Sequence, residues 1–255
     1  MPINRPTWHR LTSLDAIPGL PCPRCAIGKL KLAPDGLRVA EPQYSIDYNR
    51  APDWEPDNRI VRWSATLKCD EAQCGEIVEL IGDTESVEVE VETAPGRHDW
   101  GVEEMLRIQA AYPPPPLFRI SETVPYKVNS QLKLAFRMYW TDVCACAARL
   151  RTAVEAMLDD QKVPRERKTA KGKMVRMNLQ ERISHFAQAS DGAPHQDQLE
   201  GLRNIGNLGT HGGDDVTDGD LFDAIDVLEF VLTGVYDTRI IKGKAKKLAT
   251  KKAGT

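Results

Sequence analysis

The sequence predicts an α+β protein: a small β-rich domain over residues 1–112, then an all-α helical bundle over residues 128–238. A proline-rich linker, 113–127, joins them, and a basic tail, 239–255, follows. Three observations predict this. Apolar and polar residues alternate, as in half-buried strands, within 59–68 (RIVRWSATLK) and 76–92 (EIVELIGDTESVEVEVE). Apolar residues at steps of three and four, which draw one stripe down a helix, dominate the second half. Between the two lies the proline run at 113–116, which continues neither a helix nor a central strand.

In the first domain, 29–32 and 37–39 read as short strands, with Asp35-Gly36 as the hairpin turn between them. In the second, four helices are expected. The first, 128–159, carries Val128, Leu132, Ala135, Tyr139, Val143, Cys146, Leu150, Val154 and Met157 on one stripe. As one helix it would be roughly 45–50 Å long. Cys144 and Cys146 lie two apart within it, face different ways, and read as core packing. The second helix spans 178–189, with Leu179, Ile183, Phe186 and Ala187 inward, and the third spans 196–208, with Leu199, Leu202 and Ile205 inward. The fourth starts at Thr217, which forms a capping box with Asp220, and its stripe is Leu221, Ile225, Leu228, Leu232 and Val235.

Composition bounds the function. Apolar residues are 41% and charged residues 28% of the 255, the balance of a chain that folds around a core. No apolar stretch approaches the length of a membrane-spanning helix, so no membrane role is expected. Residues 1–22 contain no apolar core of a secretory signal, so a cytoplasmic, reducing setting is expected. The net charge of −3 excludes a uniformly basic nucleic-acid binder. It leaves room for a local basic surface, because the charge is uneven. Residues 1–127 hold 14 Lys and Arg against 20 Asp and Glu, whereas residues 128–255 hold 20 against 17. Segment 162–176 supplies much of that excess through Lys162, Arg165, Arg167, Lys168, Lys171, Lys173 and Arg176. It is expected to be a loop, either contacting phosphates of a nucleic acid or simply solvated. The tail is expected to be disordered, either touching nucleic acid or keeping the chain in solution.

Cysteine spacing points to a metal. Cys22-Pro-Arg-Cys25 is one close pair, and Cys69 with Cys74 is a second, followed by Gly75. Two such turns converge tetrahedrally on Zn²⁺ in zinc-ribbon-like domains, and four cysteines close the shell, making the ion structural. The alternatives are a redox pair or unrelated free thiols. No βαβ pattern surrounds Cys22, which counts against the redox alternative.

The second candidate site is LRNIGNLGTHGG at 202–213. Arg203, Asn207 and His211 are four residues apart, one face of a helix. Gly206, Gly209, Gly212 and Gly213 open the backbone to close approach. The alternative is that Asn207 and His211 cap a fraying helix and Arg203 pairs with an acid.

This segment, with the long helix before it (Ala148-Arg149-Leu150, Glu155), the proline-rich approach and Leu179-Gln180-Glu181-Arg182-Ile183, resembles the family called domain of unknown function 4145. The resemblance covers about 112–238. The family is grouped with the HEPN superfamily of helical domains, many of them ribonucleases of defence and toxin–antitoxin systems. The resemblance implies a HEPN-like bundle, a homodimer that pairs two small active surfaces, and RNA as ligand. Arg203-Asn204 matches the start of the HEPN signature and His211 its end, with a gap one residue longer than usual. It further implies metal-independent RNA cleavage. His211 would take the proton of a ribose 2′-OH, Arg203 would hold the phosphate charge, and Asn204 or Asn207 would orient either. The competing expectation is a non-catalytic module binding nucleic acid or a protein partner, for instance in a defence assembly, on the same fold.

Overall fold

A computed structural model describes residues 4–13, 17, 19–55, 58–94, 96–188, 192–210 and 216–250. The chain divides into two compact units, Asn4–Pro116 and one built on Leu117–Thr255, and the division falls at the end of the proline run. No helix among the described residues is long and apolar enough to cross a membrane.

The first unit is an antiparallel five-stranded sheet of order β1-β5-β4-β3-β2: β1 is Leu11–Thr12, β2 Leu30–Ala40, β3 Arg62–Cys69, β4 Ile77–Ala94 and β5 Arg97–Tyr112. A short helix, α1 (Gln43–Tyr48), links β2 to β3. Period-two burial decides which face is wet. Trp63, Ala65, Leu67 and Cys69 of β3 are buried, and Val78, Leu80, Leu106 and Ile108 join them, while Arg62 and Lys68 stay exposed. Leu20, Cys22, Leu30 and Val61 complete this core.

One strand expectation changes, and one strand, β5, was not expected. The segments flanking Asp35-Gly36 form one strand with a bulge and not a hairpin. Leu32 pairs with Leu67 and Leu37 with Ala65, so both flanks run along the same neighbour and the chain never reverses. Asp35 takes a φ of 54° within the bulge. The pairing of β4 with β5 runs from Glu79↔Tyr112 to Ala94↔Arg97. Beyond Asp83 and Leu106 this hairpin has no third strand beside it among the described residues. That ribbon carries Glu88, Glu90, Glu92, Asp99, Glu103 and Glu104, which concentrates the acidity of the first half.

The second unit holds six helices among its described residues: α2 (Tyr126–Thr141), α3 (Val143–Asp160), α4 (Leu179–Ala187), α5 (Gln196–Leu208), α6 (Asp218–Leu232) and α7 (Thr238–Ala249). The expected single helix over 128–159 is two. Asp142 leaves the helical region (φ −157°, ψ 110°) and its side chain accepts the Ala145 N–H at 2.9 Å, so the chain ends α2 and caps α3 at one residue. The two helices pack on each other. The stripe survives the break: Val128, Leu132, Ala135, Tyr139, Cys146, Leu150, Val154 and Met157 are all buried. Cys146 packs in the core as expected, and Cys144 is half-buried.

The expected cap of α6 is present, and α4 has one that the sequence reading did not name. Asn178 and Glu181 form a capping box on α4, and Thr217 and Asp220 form one on α6. Leu221, Ile225, Leu228, Leu232 and Val235 are buried, the last within a π-helical turn, Thr233–Asp237, that leads into α7.

Two expected irregular segments are ordered. The basic segment 162–176 contains an antiparallel hairpin, β6 (Glu166–Lys168) and β7 (Met174–Arg176). Pairing Arg167 with Val175 satisfies backbone groups that a solvated loop would leave to water. The tail forms α7 to Ala249, because Lys, Ala and Leu favour the helix and Lys246 and Lys247 lie at its negative end. Residues 251–255 lie outside the described residues.

Candidate metal centre and basic sites

Two tight turns bring the four cysteines together. In the first, Cys22 N–H donates to Gly28 O at 3.0 Å and Ala26 N–H to Cys22 O at 3.1 Å, with Ala26 at a φ of 54°. In the second, Cys74 N–H donates to Glu71 O at 2.9 Å, and Gly75, at a φ of 59°, redirects the chain into β4. Asp70 laces the turns together: its Oδ1 accepts the Lys29 N–H at 2.8 Å, and its Oδ2 pairs with Lys31 Nζ at 3.3 Å.

The Sγ atoms of Cys22, Cys25, Cys69 and Cys74 all lie within 4.8 Å of one another. Cys22 Sγ is 3.7 Å from Cys74 Sγ, and Cys25 Sγ is 3.7 Å from Cys69 Sγ, too far for a disulfide. Backbone N–H groups point at the sulfurs: Arg24 at Cys22 Sγ (3.4 Å) and Gly28 at Cys25 Sγ (3.3 Å). The Gly28 N–H, then that of Ile27, lowers the Cys25 thiol to about 6, whereas burial pushes Cys69 up to about 12. Burial also raises Cys22. Gly28 is required by the sulfurs, since a Cβ there would stand 2.5 Å from Cys69 Sγ. Four converging soft donors, one of them readily ionised, can hold a metal ion.

In the Arg203 segment the expected helix forms, and the glycines take a different role from the one read in the sequence. α5 runs unbroken through Leu208, and Gly209 keeps a helical backbone (φ −63°, ψ −16°). Arg203 and Asn207 therefore sit one turn apart, both half-buried. Arg203 pairs with no acid among the described residues; its Nε and Nη2 donate to Asn204 Oδ1 at 3.3 and 2.8 Å. His211, with Gly212 and Gly213, lies outside the described residues. Gly206 and Gly209 serve helix packing. A Cβ on Gly206 would overlap the Cβ of Arg151 on α3, and one on Gly209 would overlap the carbonyl oxygen of Cys144 at the start of α3.

The basic segment is divided between acids and solvent. Arg165 forms an ion pair with Asp159 and Arg167 one with Glu181 (2.9 Å). Lys162, Lys168, Lys171, Lys173 and Arg176 are exposed, and none has an acidic partner among the described residues. Arg165 and Arg176 also line a cavity of about 350 Å³ with Arg151, Glu155, Asn178 and Arg182. Arg203, Asn204 and Asn207 are not part of its wall. Sequence reasoning missed Arg151 and Arg182. The signal for Arg182 is its position: three residues after Leu179 and four before Phe186, it shares the buried stripe of α4, and it is 6% exposed.

The family matches found by comparison with known proteins fall on either side of the proline run. Residues 133–251 match the family model of a domain of unknown function, DUF4145, and residues 11–107 match that of another domain of unknown function, DUF8608. The first match includes α7, and the second encloses all four cysteines. No curated protein and no solved structure matches the chain.

Proposed function

We propose that the protein is a zinc-stapled RNA-binding protein whose helical domain, of HEPN type, holds RNA by its phosphate backbone. The supporting observation is the β6–β7 hairpin. Lys168, Lys171 and Lys173 stand exposed there without acidic partners among the described residues, beside Arg167. Clustered cations on a short ribbon make sequence-independent phosphate contacts by releasing counterions from the strand. In this reading the first unit is zinc-ribbon-like and its four cysteines hold one structural Zn²⁺. A tetrahedron with Zn–S bonds of ~2.3 Å has edges of about 3.8 Å, and the Cys22–Cys74 and Cys25–Cys69 S···S distances are both 3.7 Å. With four sulfurs around it the ion has no open position, so it supports the fold and takes no part in chemistry.

The test is binding of labelled RNA to the full chain at increasing salt. Changing Lys171→Glu and Lys173→Glu together should weaken binding for every sequence and flatten the log–log salt slope by about one to two. Absence of binding at low salt would overturn the reading.

A second reading, metal-independent cleavage by a homodimer, draws on the unbroken α5, which sets Arg203 and Asn207 on one face ahead of His211. In it Arg203 stabilises the pentacoordinate phosphate, Asn204 holds the guanidinium, and His211 removes the 2′-OH proton. RNA cut without added metal by the parent, and intact with His211→Ala, supports cleavage. RNA intact with both leaves a binding protein. A monomer in light scattering of the full chain removes the homodimer.

A further inference from the structure

We propose that the cavity between α3, the β6–β7 hairpin and the start of α4 is a binding site for a terminal phosphate group, a phosphomonoester dianion. The site itself stands apart from the hairpin's contacts with RNA; only its RNA-end form rests on the RNA-binding reading. Four guanidinium groups line the cavity: Arg151 from α3, Arg165 and Arg176 from the hairpin segment, and Arg182 from α4. Against them stand two carboxylates, Glu155 in the wall and Asp159, which is not in the wall but pairs with both Arg165 and Arg182 (2.7 Å). Two positive charges remain. That surplus matches a phosphomonoester better than a carboxylate or a backbone diester, each of which carries one negative charge.

The donors are also incompletely used. Arg182 gives Nη2 to Asp159 Oδ1 at 2.7 Å and to Val163 O at 3.3 Å, but its buried Nε has no partner. The Nε of Arg151 is likewise buried and unpartnered, although its Nη2 reaches Glu155 at 3.5 Å. A buried charged donor left unsatisfied is costly, and phosphate oxygens are its natural acceptors. Arg176 is exposed, with no acidic partner among the described residues, and is free to close on an arriving anion. Asn178, the N-cap of the nine-residue α4, and Leu179, its first residue, add the positive end of its dipole. The volume, about 350 Å³, sits at the low end of small-molecule pockets.

The dianion has two sources, a 5′-phosphorylated RNA end or a free nucleoside monophosphate. The experiment compares one short RNA with a 5′-phosphate and with a 5′-hydroxyl, alongside thermal melting of the full chain with adenosine monophosphate. Adenosine at equal ionic strength is the control. Each arm is repeated on Arg176→Ala, whose exposed side chain leaves folding intact, and on the double Lys171→Glu, Lys173→Glu variant. A 5′-phosphate preference of about tenfold or more, the scale of one charge-assisted hydrogen bond, is expected. It should vanish in Arg176→Ala and persist in the lysine variant; that result assigns the RNA end. Stabilisation by the monophosphate alone, also lost in Arg176→Ala, assigns the nucleotide and would hold even if RNA does not bind. Equal binding of the two RNAs together with no shift from the monophosphate overturns the site, while leaving backbone binding by the hairpin standing.

Discussion

Gly28 and Gly206 both stand in segments whose sequence reads as chemistry, yet a side chain at each would strike a different kind of neighbour. At Gly28 it meets the sulfur of Cys69; at Gly206 it meets the backbone-proximal carbon of Arg151 on a packed helix. The first glycine makes room for a cluster of sulfurs, the second for a helix crossing. The difference teaches how to weigh small residues beside polar ones. Around Cys22 and Cys69 the polar atoms converge, with four sulfurs inside 4.8 Å and N–H groups aimed at them. Along α5 they do not: Arg203 turns to Asn204 on its own helix, while the glycines let α5 lie close to α3.

The sharpest way to break the comparison is to remove a sulfur. Under the proposed zinc assignment, Cys25→Ser should abolish the cooperative unfolding of the first unit, since a structural zinc contributes binding free energy on the order of 10 kcal/mol in small domains. Tryptophan fluorescence reads this directly, because Trp8, Trp54, Trp63 and Trp100 lie in that unit and only Trp140 in the other. The helical signal in circular dichroism should remain.

Next in size are the helix crossings. Gly206→Ala and Gly209→Ala should each destabilise the helical unit by about 1–3 kcal/mol, the scale of overpacking. Gly201→Ala, on the same helix with nothing within 4 Å, should instead stabilise it by about 0.5–1 kcal/mol. Thermal melts of the three variants check the contrast.

The smallest effect concerns pH. His195 is buried, and desolvation, then Lys242, lowers its pKa. The unfolded chain therefore binds a proton more readily than the folded one. Stability is complete above the ordinary histidine value of about 6.5 and falls as pH drops below it. His195→Gln should flatten that part of the stability–pH profile, as read by melting between neutral and mildly acidic buffers.

Sequence legibility follows the range of the interaction. The cysteine turns, the cap at Thr217, and the span of α5 depend on residues within a few positions, and each is visible in the sequence. The break at Asp142 is hidden because the apolar stripe keeps its period from Tyr139 through Cys146 whether the helix bends or not. β5 is hidden because much of it lies in a ribbon solvated on both faces, where nothing enforces alternation. The arginine cavity is hidden because its walls come from α3, the hairpin and α4, and no local spacing encodes that meeting. Asp35-Gly36 shows the converse: a strong local turn signal yields a bulge when both flanks find the same partner strand.

One measurement bears most directly on the difference between the two glycine motifs: the metal content of Gly28→Ala, purified without chelator, beside the parent and Gly206→Ala. The parent and Gly206→Ala should each carry one zinc per chain, and Gly28→Ala well under half an equivalent, because its new Cβ would stand 2.5 Å from Cys69 Sγ. A full equivalent in Gly28→Ala, or none in the parent, would contradict the assignment of the first motif to a metal and the second to packing.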